Sequence, residues 1–211
     1  MLRFPREEDR VRENLGVGIV PVSARRPAPK LARMAGPTLV MFIRHGEKPP
    51  SGGGTPMGVA PDGSEDKHSL TVRGWVRAGS LIGFFSSAHD GVETPTKIFA
   101  ACSSDDAGPH GRRPAQTVTP LAEAHNTPMD TTFAVGNEGG VAAAILEEPG
   151  VVLVSWEHHN IPLIAAGIGV ANFTRQWPDA RFDLVWIFRR TESGYTFSEI
   201  GQNLLSGDRA P

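Results

Sequence analysis

"TLVMFIRHGEKPPSGGG" (residues 38–54) changes character abruptly after Ile43. Leu39, Val40, Met41, Phe42 and Ile43 form a short β-rich apolar run, the pattern of a strand buried on both faces of a parallel sheet. Arg44, His45 and Gly46 break that run, and a loop rich in proline and glycine follows. Two accounts fit such an ending: the strand has reached solvent, or its carboxyl end delivers two reactive side chains. In open α/β sheets, ligands bind outside the carboxyl ends of the strands.

Downstream, strand and helix patterns alternate. "LTVRGWVRAGSLIGFF" (70–85) predicts a helix with Thr71 as N-cap, and Trp75, Ala78, Leu81, Ile82 and Phe85 make an i, i+3, i+4 stripe. "KIFAAC" (97–102) predicts a strand. "RPAQTVTPLAEAH" (113–125) predicts a helix with a turn or kink at Pro120. "MDTTF" (129–133) reads as a short strand, "EGGVAAAILEE" (138–148) as a helix and "GVVLVSW" (150–156) as a buried strand. "IPLIAAGIGVA" (161–171) reads as a helix, and "FDLVWIFRR" and "GYTFSEIG" as two strands joined by the turn "TESG". This order predicts an α/β fold: a three-layer α/β/α sandwich with a mostly parallel sheet, the closing pair allowing an antiparallel edge strand.

The bulk properties narrow the function classes. A chain of 211 residues suits one α/β domain. Its formal net charge of −2 points to neither nucleic acid nor an anionic membrane as partner. Cys102 is the single cysteine, which excludes an intramolecular disulfide and a cysteine-based zinc site and suits a cytoplasmic setting. No apolar run approaches bilayer length, and neither a secretory nor a twin-arginine signal is expected at the N-terminus. Charge is nonetheless uneven: residues 1–34 carry a net +4 and the remainder −6. Residues 1–36 therefore read as a basic, proline-containing extension with little order of its own, and 37–211 as the domain. Met34, just before the first strand, is a candidate start.

Three strands end in suggestive residues: Arg44-His45, the segment that holds Arg112 and Arg113, and Glu157-His158-His159. Arginine binds phosphate through a rigid, permanently charged fork. A neutral imidazole serves as nucleophile, base or metal ligand. Two arginines with two histidines suit an anionic phosphoryl group. "WEHHN" lacks the i, i+4 histidine spacing of a helical zinc motif, and "SGGG" lacks the Gly-Lys-Ser/Thr of a P-loop. Of the other histidines, only His68 and His110 lie in loops that can border such a site. The 48–69 loop is longer than most connections and is expected to form a rim or lid that shapes substrate choice.

With these residues in view, the chain resembles the histidine phosphatase superfamily, which includes phosphoglycerate mutases and acid phosphatases. "FIRHGE" resembles its signature at the end of the first strand. "LTVRGWVRA" resembles the helix that follows, "RPAQTVTPLAE" the family's Arg-Ala-x-Gln-Thr helix start, and "VVLVSWEHHNIP" the strand that carries the second histidine. The resemblance spans Thr38 to Phe188. It implies a phosphoglycerate mutase-like fold and a metal-independent phosphomonoesterase that needs no cofactor. His45 would be the nucleophile that forms a phosphohistidine, with Arg44, Arg113 and His158 binding the phosphoryl group. His159 is the alternative second histidine and a substrate-binding neighbour. For the proton donor the candidates are Glu157, Glu138 and Asp105 or Asp106. A phosphorylated small molecule or phosphoprotein is the expected partner. Two other readings stand beside this one: a phosphate-binding regulatory protein with little turnover, and a phosphomutase. The second is disfavoured because the acidic segment of a phosphoglycerate mutase is missing before Glu138.

Overall fold

The computed structural model describes residues 36–102, 112–170 and 173–211. The extension expected over 1–36 lies, apart from Gly36, outside these residues, as do Met34, Asp105, Asp106 and His110.

In chain order the elements are β1 (Leu39–Arg44), α1 (Val72–Phe84), β2 (Lys97–Ala100), α2 (Arg112–His125), β3 (Met129–Asp130), α3 (Glu138–Glu147), β4 (Val151–Trp156), α4 (Ile161–Gly167), β5 (Leu184–Thr191) and β6 (Gly194–Gly201). They build one sheet in the order β3-β2-β4-β1-β5-β6. The first four of these run parallel, while β5 is antiparallel to β1 and β6 to β5. The expected antiparallel edge is thus a two-stranded hairpin.

Every residue of β1 and of β4 is buried, which is why both read as unbroken apolar runs. The period-2 alternation splits β1 between two cores. Val40 and Phe42 pack with Val154, Ile145 of α3 and Ile164 of α4. Leu39, Met41 and Ile43 pack with Leu153, Leu81 of α1 and Leu121 of α2. Helices therefore cover both faces, giving the three-layer α/β/α sandwich.

The helix boundaries follow local chemistry. Thr71 caps α1 by accepting from the Gly74 amide at 3.2 Å. Helix α2 runs through Pro120 without a break, because Val118, Leu121 and Ala122 are buried on both sides of it. That packing outweighs the hydrogen bond lost at a helical proline. Helix α4 is shorter than expected: Gly169, at φ 94°, turns the chain out of it two residues past its end. No described helix is long and apolar enough to cross a membrane.

Candidate active site

Strands β1 and β4 pair in register, with Arg44 opposite Trp156. Their carboxyl ends therefore place His45 beside the Glu157-His158 segment, and the His45 amide donates to the Trp156 carbonyl at 3.2 Å. The His45 side chain is almost fully buried. Its Nδ1 donates to the Gly46 carbonyl at 2.7 Å, which fixes the tautomer and leaves the Nε2 lone pair without a partner among the described residues. Burial pushes the His45 pKa down to about 3, against the Gly46 hydrogen bond; the charges of Arg44, Arg113 and Lys48 push the same way as burial. The imidazole is neutral at physiological pH and feels the charges of Arg44, Arg113 and Lys48.

Arg44 is equally buried. Its guanidinium lies over the Phe182 ring, 3.8 Å from the centroid, and its Nη1 donates to the carbonyls of Asp179 and Arg181. Its Nε is sealed from solvent and has no acceptor among the described residues. A buried donor without a partner costs free energy and favours an anion that can meet it. Burial lowers the Arg44 pKa to about 10, opposed by Glu157, Asp179 and Glu47, so the charge persists at neutral pH.

The start of α2 separates the two arginines. Arg112 is exposed and pairs with Asp66 at 2.9 Å. Arg113 is half-buried, donates to the Lys67 carbonyl at 2.8 Å and acts electrostatically on both Arg44 and His45. The Gln-Thr that follows has a structural task. Thr117 Oγ1 accepts from the Gly46 amide at 2.8 Å and donates to the Arg113 carbonyl at 2.7 Å. Gln116 accepts from the Leu70 amide and donates to Ser69 Oγ. Gly46 itself is needed where α1 approaches: a Cβ there would meet the Gly74 carbonyl oxygen at 3.0 Å.

His158 is buried between two carboxylates. Its Nε2 lies 3.1 Å from Asp179 Oδ1, and its Nδ1 is 2.6 Å from Glu157 Oε1. The second contact is close but lacks hydrogen-bond alignment, and among the described residues this nitrogen has no other partner. His159 is exposed and stacks on His158, ring centroids 3.9 Å apart. Burial would raise the Glu157 carboxyl, yet contacts with His158 and His159 hold it at about 2. At neutral pH it is a carboxylate with no proton to give.

Glu138 lies in a different setting. It accepts from Trp156 Nε1 at 3.1 Å, Asn160 Nδ2 at 2.6 Å and the Gly136 amide at 2.9 Å. These bonds outweigh its burial and lower its pKa, which makes it a brace between α3 and β4.

Three neighbours of the site carry no signature in the sequence. Asp179 and Phe182 reach Arg44 and His158 from the irregular segment ahead of β5, and Lys48 follows the strand end. The Pro178-Asp179 pair is the one local signal, a turn former in a segment without periodicity. A second network is also silent in the apolar pattern: buried Arg77 of α1 pairs with Glu47 and Asp208, each at 2.8 Å.

Beside Arg113, a cavity of about 470 Å³ opens between residues 48–57 and Lys67-His68. The 48–69 loop thus contributes a wall. Among the described residues, Glu157, His158 and His159 are the one group whose candidate metal-ligand atoms all lie within 4.8 Å of one another. Two of those three, Glu157 and His158, already face each other at 2.6 Å.

No protein-family model matches the chain, and no curated protein does. Among solved structures, one match is SixA from Agrobacterium tumefaciens, provisionally assigned as a phosphohistidine phosphatase. It shares 16% identity, covers 83% of this chain and 98% of its own, and superposes with a TM-score of 0.41. At that level the likeness assigns neither family nor activity.

Proposed function

We propose that the protein is a metal-independent phosphomonoesterase of the histidine phosphatase type, working through a phosphohistidine on His45. The observation that carries this reading is the state of His45: buried, neutral, tautomerically fixed by Gly46 and within the electrostatic reach of Arg44, Arg113 and Lys48. A neutral imidazole in a cationic pocket attracts an anionic phosphoryl group while keeping its lone pair.

In the first step the Nε2 lone pair forms a bond to phosphorus as the ester P–O bond breaks. The leaving oxygen takes a proton from an acid or from water. In the second step a water oxygen attacks phosphorus, the Nε2–P bond breaks, its electron pair returns to the imidazole, and the water proton is released. Arg44 and Arg113 meet charge on the equatorial oxygens throughout. His158 contributes a ring nitrogen once the phosphoryl group displaces the Asp179 carboxylate, and His159 borders the opening. Glu157, held ionised, acts as a counter-charge that orients His158. The exposed carboxyl of Asp179, beside His158, is then the candidate to assist the leaving group.

The reading is tested by hydrolysis of an aryl phosphate in the presence of chelator. Activity that persists with chelator and disappears in His45→Ala supports it; unchanged activity in His45→Ala overturns it. A second reading, a phosphate-binding protein with little turnover, is favoured by the low pKa of Glu157. It predicts phosphate binding without turnover in the wild-type protein.

A further inference from the structure

The cavity beside Arg113 is walled by Lys48, Lys67, His68 and Arg113, with Pro49, Pro50 and Met57 completing its sides. Among the described residues no carboxylate lines it. Among the described residues neither lysine pairs its ammonium with an acidic group, although Arg112 on the same rim is paired with Asp66. The rim itself is firmly built. Arg113 donates to the Lys67 carbonyl, Asp66 accepts from the His68 amide at 2.9 Å, and Ser69 Oγ donates to Asp66 at 2.7 Å. Lys67 is therefore presented on a braced turn. Burial, with the charges of Arg113 and Arg44, depresses the Lys48 pKa against the opposing pull of Glu157 and Asp179.

Lys48 and Arg113 belong to both places: they line the cavity, and both act on the His45 imidazole. The carboxylates Glu157 and Asp179 stand at the His158 end. A substrate whose phosphoryl group meets His45 is thus drawn with its remaining negative charge toward the 48–68 side. We propose that this cavity seats a second anionic group of the substrate, so that the protein acts on small phosphomonoesters bearing a further phosphate or carboxylate. Lys67 and His68 are the specificity-determining residues that touch that group. The inference rests on the phosphatase reading and adds the substrate class to it.

The test compares propyl phosphate, propane-1,3-diol bisphosphate and 3-phosphooxypropanoate on the wild-type protein and on Lys67→Glu. The expected result is a kcat/KM for a doubly anionic ester about tenfold above that for propyl phosphate, the scale of one added charge-assisted contact. That exceeds the statistical factor given by two equivalent phosphates. In Lys67→Glu the ratio falls to near one. Whichever of the bisphosphate and the carboxylate gains more identifies the second group. A wild-type ratio near one, with the esters hydrolysed, overturns the inference and leaves the phosphatase reading standing. If neither these esters nor an aryl phosphate is hydrolysed, the phosphatase reading fails instead. Calorimetric titration with the same compounds then decides: tighter binding of the doubly anionic esters, lost in Lys67→Glu, supports the second-anion site, and equal binding overturns it.

Discussion

The Nη2 of Arg77 lies 2.8 Å from Oε1 of Glu47, so a buried guanidinium on α1 holds the residue that follows His45-Gly46. The same Nη2 is 2.8 Å from Asp208 Oδ1, and Nη1 donates to Gln202 Oε1 at 2.8 Å. The turn that carries His45, the proposed nucleophile, is thereby tied to a helix and to the C-terminal segment. Arg77→Met leaves two poorly solvated carboxylates with only the half-exposed Arg73 as a cation, and loss of one partner of a buried pair costs about 3 kcal/mol. Chemical denaturation should show a loss of that size, and aryl phosphate turnover should fall with it. A change under 1 kcal/mol would mean that the network is solvated and not a clamp.

Two glycines of α1 make opposite predictions. A Cβ at Gly74 would meet the Glu47 carbonyl oxygen at 2.6 Å and its amide at 2.9 Å, both backbone atoms that cannot rotate away. Gly74→Ala should destabilise by about 2 kcal/mol, as overpacking does. At Gly79 nothing lies within 4 Å of a Cβ. Gly79→Ala should instead stabilise by roughly 0.5–1 kcal/mol, the helix-propensity difference. Thermal melts of the two variants must move in opposite directions.

The state of His45 has a pH consequence. Its folded pKa, about 3, is below the unfolded value near 6.5. The unfolded chain therefore binds the proton first as pH falls, and stability drops from 6.5 downward until the folded pKa is passed. At pH 5 this amounts to on the order of 2 kcal/mol. Glu157, also depressed, adds a loss below about 4.5 as pH falls toward 2. His45→Asn should flatten the wild-type decline between pH 6.5 and 5. An identical pH slope in both proteins would contradict the buried neutral imidazole.

Asp179 occupies donors that the proposed phosphoryl group would need. Its carboxylate sits on His158 Nε2, and its backbone carbonyl accepts from Arg44. Asp179→Asn removes the competing charge and should tighten inorganic phosphate binding by about fivefold, the scale of a partly exposed charge pair. Calorimetry on the two proteins checks this. Weaker binding in the variant would show that Asp179 helps the anion instead of competing with it.

What the sequence discloses of this site depends on the physical signal each residue leaves. Strands β1 and β4 are legible because burial on both faces demands apolar runs, and the polar residues that end them stand out against such runs. The N-cap Thr71 and the helix it starts are legible for similar reasons of pattern. Arg77 is not: its burial depends on Glu47 and Asp208, and a buried ion pair looks, in a helical wheel, like a solvated residue. Asp179 is the hardest to see, since it meets Arg44 across 135 positions from a segment with no period. The wall formed by Lys48 and Lys67 is likewise tertiary: residues 19 positions apart converge only because Arg113 draws the Lys67 carbonyl to the site.

The most direct measurement of the central claim is a quench-flow trap of the phosphorylated protein. The wild-type chain is mixed with an aryl phosphate, denatured at high pH to preserve acid-labile N–P bonds, and mapped by mass spectrometry. The account predicts one phosphate on the peptide carrying His45, formed at the rate of product release and absent from His45→Ala. Phosphate on another residue, or product formed with no trapped intermediate while His45→Ala stays active, would contradict it.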